Sequence, residues 1–429
     1  MDEFRIKGGS PLVGVVNISG AKNAVLPILA ATLLTKFPVQ LANVPDLEDV
    51  RMMNHLLISM GSEVLADFSR STVMINTSNS QSCIADKQLV CAMRASILVL
   101  GPLLARFGHA RVALPGGCAI GSRPVNLHLS ALRALGASIS IDDGYIDASV
   151  PGRLQGAIID FDQVTVTGTE NILMAAVLAE GTTVLRNAAI EPEVGDLARC
   201  LNKMGAKITG IDSPTLTIEG VAELKGVSYS VIPDRIEAGT YLVGALMTGG
   251  RVKVIGVDGS FLGAVIEKIE QAGGVLTLGD DWVQVDMRDR RPQAVDITTS
   301  PYPGFPTDMQ AQFMAMNCIA TGNSCVSEKI FENRFMHVHE LSKMGAKITV
   351  QGDNAYTLGA EALNGTTVRA TDLRASASLV LAACCAKGVT VIKDIYHIGR
   401  GYAQIEKKLA VLGVDIQRVA QLDCTAEFV

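Results

Sequence analysis

The sequence predicts an α/β chain of six repeated units, divided three and three between two domains, with its helices packed inside a shell of sheets. Three observations predict it. A five-residue phrase recurs six times at near-even spacing, paired alternating stretches follow most copies, and a helix rich in Ala and Leu recurs once per unit.

The phrase is a leucine or isoleucine, two residues of any kind, an apolar or small residue, then glycine. It occupies Leu57 to Gly61, Leu132 to Gly136, Leu201 to Gly205, Ile269 to Gly273, Leu341 to Gly345 and Leu409 to Gly413, and its glycines step by 75, 69, 68, 72 and 68 residues. Glycine just past the last apolar residue of a helical pattern closes a helix, because it takes the left-handed backbone without steric cost. Alternating stretches come next, such as Ala206-Lys-Ile-Thr and then, after a polar turn, Thr215-Leu-Thr-Ile. A period of two interrupted by a turn reads as a β-hairpin. The second helix of each unit is expected at 22–34, 94–106, 171–180, 236–247, 309–320 and 374–386. Small apolar residues on all sides of these helices suit burial among neighbours rather than a wet surface. The stretch from Phe4 to Ile18 has no helix before it and is expected to pair with the last repeats. The second domain is then discontinuous: residues 22–232 form the first domain, and 1–21 with 233–429 the second.

Length and composition agree. At 429 residues the chain exceeds what one ordinary core holds, and 48% hydrophobic, 19% charged and 4% aromatic residues describe a globular protein. A formal charge of -6 without any basic, aromatic-laced run argues against nucleic acid as a partner. The N-terminus, Met1-Asp-Glu-Phe-Arg, has no export signal, and the longest apolar runs, such as Ala24 to Leu34, fall short of the ~20 residues that span a bilayer. A soluble, cytoplasmic chain without a membrane partner is expected. Nine cysteines with no CxxC pair point to reduced thiols, most of them buried.

Chemistry is expected where a copy departs from the fold-forming rule. Lys22, Arg94 and Arg374 stand at predicted helix starts, where a cation is unfavourable by ~0.3 to 1 kcal/mol unless an anion joins it. Three such starts together point to anion binding; a single one reads equally as a surface charge. The loop Leu114-Pro-Gly-Gly-Cys-Ala-Ile-Gly-Ser-Arg-Pro leaves Cys118 unpacked beside Arg123 and ahead of the helix opened by Pro124, a setting that favours a thiolate, although a Gly-rich turn with an incidental cysteine looks the same. In Tyr302-Pro-Gly-Phe-Pro-Thr-Asp-Met-Gln, Thr307 and Gln310 are spaced as a capping box that puts Asp308 in the first turn, ionised and rigidly held, or simply an acidic helix start. Arg400 lies between glycines in Tyr396-His-Ile-Gly-Arg-Gly-Tyr, free to reach a phosphate or carboxylate or only solvent.

Six stretches together resemble the enolpyruvyltransferase family: Ser19-Gly-Ala-Lys-Asn-Ala, Pro115-Gly-Gly-Cys-Ala-Ile-Gly-Ser-Arg-Pro, Pro303-Gly-Phe-Pro-Thr-Asp-Met-Gln-Ala-Gln, Phe331-Glu-Asn-Arg-Phe-Met-His, Asp372-Leu-Arg-Ala-Ser-Ala and His397-Ile-Gly-Arg-Gly-Tyr. They span residues 19 to 402 and match the nucleotide-sugar branch rather than the shikimate branch. The resemblance implies a two-domain inside-out α/β barrel of six βαβαββ repeats. It also implies a reaction, the transfer of enolpyruvyl from phosphoenolpyruvate to the 3-hydroxyl of UDP-N-acetylglucosamine, the first committed step of peptidoglycan precursor synthesis, with no metal or organic cofactor. By the same resemblance, Lys22, Arg123 and Arg400 hold the phosphate, with Arg374 nearby and Asn23 bonding the substrate. Cys118 is the general acid and forms a thioketal with phosphoenolpyruvate, and fosfomycin is expected to alkylate it; Asp308 takes the hydroxyl proton. Nucleotide-sugar contacts carry over to Arg94, to Arg123, Pro124, Val125, Asn126 and Leu127, to Gln163, Val164, Thr165 and Val166, and to Asp308 and Ile330. The segment Thr165-Val-Thr-Gly-Thr departs from the family's Ser-Val-Gly-Ala-Thr. Joining two anionic substrates implies domain closure. Two other readings stay open: transfer to another acceptor such as shikimate 3-phosphate, and a non-catalytic repeat scaffold.

Overall fold

A computed structural model describes residues 2–80, 82–116, 121 and 125–420. These residues fall into two compact units, one of residues 20–116 and 125–232, the other of residues 2–19, 121 and 233–420. Each unit carries three four-stranded sheets.

In the first unit the sheets run Ser228–Ser230, Val39–Ala42, Thr72–Asn76, Glu63–Asp67; then Ile84–Ala85, His109–Ala113, Tyr145–Ser149, Ser138–Asp142; then Ile158–Asp160, Thr182–Arg186, Thr215–Glu219, Lys207–Thr209. Only the first pair of each sheet is parallel, and the remaining pairs are antiparallel. Ser228–Ser230, last in the unit, thus supplies the parallel edge of the unit's first sheet. Alternation sets the faces: in Thr215–Glu219 only Leu216 and Ile218 are buried.

The second unit repeats the plan with strands borrowed from the chain's start. Val13–Asn17 lies parallel to Arg251–Ile255 in the unit's first sheet, whereas Glu3–Lys7 sits between Val389–Lys393 and Asp415–Val419 in its last. The opening stretch therefore does not pair only with the last repeats: its two strands go to different sheets. Glu3–Lys7 takes the place that the closing hairpin strand holds in the other five sheets.

All six phrase glycines have the left-handed backbone that the sequence reading requires, with φ between 92° and 107°. Each stands two residues beyond a helix, respectively Glu48–Ser59, Asn126–Ala134, Pro192–Lys203, Gly263–Gln271, His337–Lys343 and Ile405–Val411. The recurrent second helices are Lys22–Ala31, Leu100–Phe107, Val166–Ala176, Arg235–Thr248, Gln310–Asn317 and Leu373–Cys385. Those at 94–106 and 309–320 open as 3₁₀ turns, Arg94–Val99 and Thr307–Met309. The third begins five residues earlier than expected, because Thr165 caps it by accepting a hydrogen bond from Gly168 N.

These helices form the core. In Arg235–Thr248 thirteen of fourteen residues are buried, and the helix packs against Gln310–Asn317 and Leu373–Cys385. Glycine makes the approach possible: a Cβ on Gly244 would stand 3.1 Å from Leu12 and Leu381 side chains. Some of the polar groups drawn into this interior pair with one another. Thr240 Oγ1 lies 2.9 Å from the Tyr402 hydroxyl and accepts from Gln312 Nε2 at 3.1 Å. Among the described residues no helix is long and apolar enough to cross a membrane. The described cysteines are all unbridged; Cys200, Cys318 and Cys384 are buried and Cys91 is exposed, so burial is not their common state.

Candidate active site

In the second unit the chemistry gathers on Asp308. Arg334 Nη2 donates to its Oδ1 at 2.7 Å, and Arg374 donates to Oδ2 from Nε at 3.1 Å and Nη2 at 3.0 Å. Both guanidinium side chains are buried, at 6% and 4% exposure, while a quarter of the Asp308 side chain stays accessible. Burial pushes the carboxyl up, but Arg374 and then Arg334 outweigh it and hold Asp308 well below the usual carboxylate range. The capping-box expectation fails here. Thr307 Oγ1 donates to Glu328 Oε2 at 2.8 Å and accepts from Arg334 Nη1 at 2.9 Å, while the Gln310 side chain is buried and has no hydrogen-bond partner among the described residues. The two arginines, not a helix dipole, keep Asp308 ionised.

Arg374 reaches Asp308 from the first turn of Leu373–Cys385, a helix opened by Asp372, whose Oδ1 accepts from Arg374 N and Ala375 N. Arg400 directly follows the short helix Tyr396–Gly399, which packs on Leu373–Cys385, and its charge helps lower the His397 pKa after burial has done so. Ile330, half-buried, has its backbone N–H fixed by Glu328 Oε1 at 2.9 Å.

In the first unit Lys22 opens the helix Lys22–Ala31 and pairs with buried Asp49 at 2.6 Å; Asn23 beside it is exposed. The anions beside the Lys22 and Arg374 helix starts are thus carboxylates of the chain itself. Around His128 the structure brings three of the expected stretches together. Its Nε2 lies 3.3 Å from Thr167 Oγ1, two residues past the Thr165 cap, and it sits on the helix Asn126–Ala134, preceded by Val125. Arg94, third of the set, adds its charge to burial in lowering the His128 pKa to about 4. Asn126, Gln163 and Val164 are exposed, and Leu127, Thr165 and Val166 half-buried. Cys118, Arg123 and Pro124 lie outside the described residues.

A family model for EPSP synthase (3-phosphoshikimate 1-carboxyvinyltransferase) matches residues 6–409. The chain is 58% identical over 420 residues to the UDP-N-acetylglucosamine 1-carboxyvinyltransferase of Coxiella burnetii (strain Dugway 5J108-111), covering 98% of this chain and 96% of that one. The chain belongs to the EPSP synthase family of enolpyruvyl transferases. To the UDP-N-acetylglucosamine 1-carboxyvinyltransferase of Acinetobacter baylyi it is 57% identical, covering 98% of this chain and all of that one. Among solved structures, the enolpyruvyl transferase NikO from Streptomyces tendae matches with a TM-score of 0.87 at 25% identity, over 97% of this chain and 98% of that one. An Acinetobacter baumannii EPSP synthase shares the fold with a TM-score of 0.76 at 17% identity.

Within this enolpyruvyl transferase, sequence reasoning missed Arg334, Glu328 and Asp49. Arg334 sits in the stretch Phe331-Glu-Asn-Arg-Phe-Met-His, yet nothing local marks it as the partner of a carboxylate 26 residues away. Asp49 reads as an ordinary acidic residue in the first turn of Glu48–Ser59, and only the fold sets it against Lys22.

Proposed function

We propose that this chain transfers the enolpyruvyl group of phosphoenolpyruvate to the 3-hydroxyl of UDP-N-acetylglucosamine and releases phosphate. The observation that carries the reading is identity of 57–58% across nearly the whole chain with relatives named for that reaction. The domains are read as residues 22–232 and 1–21 with 233–429, each of three βαβαββ repeats around buried helices; six four-stranded sheets in two compact units support this.

The roles follow from the chemistry of the substrates. Phosphoenolpyruvate carries a phosphate and a carboxylate on one carbon and so needs several cations; Lys22, Arg123, Arg374 and Arg400 supply them, and Asn23 adds a hydrogen bond. Cys118 Sγ gives its proton to C3, the π pair forms the new C–H bond, and C2 becomes electrophilic. The sugar hydroxyl oxygen then bonds to C2 and its proton passes to Asp308, giving a tetrahedral phosphoketal. The Cys118 thiolate takes back a proton from C3, the C–H pair re-forms the C2–C3 π bond, and the C2–O bond breaks with its pair on phosphate, leaving the enol ether. Asp308 is a weak base in the grip of Arg334 and Arg374. That suits a proton taken late: as the C–O bond forms, the hydroxyl oxygen gains positive charge, and a weak carboxylate then suffices. Arg94, Val125, Asn126, Leu127, Gln163, Val164, Thr165, Val166 and Ile330, with Arg123 and Pro124, bind the nucleotide sugar. A cytoplasmic location fits substrates made inside the cell.

Phosphate release measured with UDP-N-acetylglucosamine and with shikimate 3-phosphate as alternative acceptors tests the reading. Turnover with the nucleotide sugar alone is expected, and turnover only with shikimate 3-phosphate overturns it.

A further inference from the structure

Glu328 follows the strand Asn323–Ser327, is 3% exposed, and accepts four hydrogen bonds. Its Oε1 takes the Thr299 hydroxyl at 2.9 Å, Ile330 N at 2.9 Å and Phe331 N at 3.1 Å; its Oε2 takes the Thr307 hydroxyl at 2.8 Å. Because the Thr307 hydrogen is committed to Glu328, the Thr307 oxygen turns a lone pair toward Arg334. The Arg334 fork then spans two successive residues, Nη1 to Thr307 Oγ1 at 2.9 Å and Nη2 to Asp308 Oδ1 at 2.7 Å. The same guanidinium lies over the Phe331 ring, 5.2 Å from its centroid, and Phe331 is itself held by Glu328.

We propose that Glu328 is a positioning residue for the transfer reaction: through Thr307 and Arg334 it aims Asp308 at the hydroxyl proton, and through the Ile330 amide it fixes a nucleotide-sugar contact on the same anchor. This rests on the function proposed above. The acceptor of the proton and a binder of the molecule that gives it are thereby set from one buried carboxylate. A hydrogen-bonded chain of this kind acts as a unit, so cutting it at either of two links has the same consequence. An amide at position 328 presents a donor or a single oxygen where two acceptor oxygens are needed. A valine at 307 keeps the shape but leaves Arg334 Nη1 without its acceptor in a buried place.

Steady-state kinetics with phosphoenolpyruvate and UDP-N-acetylglucosamine on the native chain, Glu328→Gln, Thr307→Val, Thr307→Ser and the double variant Glu328→Gln/Thr307→Val tests it. Each of the first two substitutions is expected to lower kcat by about 10- to 100-fold with the KM for phosphoenolpyruvate within about twofold, the cost of losing a partner that orients a reacting group rather than one that touches the substrate. The double variant is expected to be no slower than about the slower single one, and Thr307→Ser to return to within about threefold of native. Multiplying effects in the double variant, a serine as slow as the valine, or native kcat in Glu328→Gln overturns the inference. If Glu328→Gln does not fold, the serine and valine variants at 307 decide alone. A native chain without turnover takes down the functional reading and this inference together; an active native chain with unchanged variants takes down only this inference.

Discussion

His128 takes up a proton far less readily where it sits than in the unfolded chain, and this makes the first unit less stable in acid. Asn171 Oδ1 accepts from Gly101 N at 2.7 Å, which turns its Nδ2 toward Ile97 O at 3.0 Å and His128 Nδ1 at 3.0 Å. The amide is thus locked as a donor to Nδ1, so Nε2 carries the ring's hydrogen and faces Thr167 Oγ1. A second ring proton on Nδ1 would meet the Asn171 N–H. Burial first and Arg94 second lower the His128 pKa from 6.5 to about 4. The unfolded chain binds a proton near 6.5 that the folded one refuses, so the stability is fully present above 6.5 and is lost as pH falls toward 4. Between pH 7.5 and 5 that loss is about 2 kcal/mol, the slope approaching about 1.4 kcal/mol per pH unit only below 6.5. The test is His128→Gln, which keeps a polar side chain but does not titrate. Hydrogen exchange of the helix Val166–Ala176 at pH 7.5 and pH 5 reads the unit directly. Only the difference between native and variant isolates His128, because Glu170 and Asp196 in the same unit are raised by burial and pull the opposite way. The native chain should lose about 2 kcal/mol more protection than the variant on acidification. Equal losses would refute the reasoning.

Three further outcomes are expected. Glu170 is held above the usual range by burial, then by Glu193 and Glu191, so its contribution is present below 4.5 and lost as pH rises through its folded value; in the same exchange assay Glu170→Gln should gain on the native chain from pH 5 to pH 8, and no relative gain contradicts this. Lys22→Met should abolish turnover and, by stranding Asp49 in the interior, cost about 3 kcal/mol of stability. Adding Asp49→Asn should restore the thermal midpoint but not the activity; recovery of both would remove Lys22 from the phosphate set. Fosfomycin should add one mass equivalent to the native chain and none to Cys118→Ser, and an adduct that survives the substitution places the alkylation elsewhere.

The repeat was legible because its signals are local and steric. A helix that ends in a left-handed residue calls for glycine at one position, and six such glycines announce themselves at even steps in a single sequence. Buried helices declare themselves by Ala and Leu on every side. What stayed hidden is set by tertiary approach: the capping pattern at Thr307 and Gln310 is a correct local rule overruled by Glu328 and Arg334, which stand 21 and 27 residues beyond Thr307. The Thr165 cap was hidden for a different reason, since the β-branched run of Val and Thr around it reads as strand or loop until the fold supplies a helix. Asp308 was found by motif, but its weak basicity was not, because Arg334 and Arg374 lie 26 and 66 residues away in sequence.

Whether a hydroxyl proton passes to Asp308 as the sugar oxygen bonds to C2 of phosphoenolpyruvate is tested most directly by following the phosphate release that this addition makes possible, with UDP-N-acetylglucosamine, in the native chain and in Asp308→Ala. Steady release by the native chain, falling at least ~100-fold in the variant, is the predicted result. Absence of release from the native chain, or release at the native rate from Asp308→Ala, would contradict it.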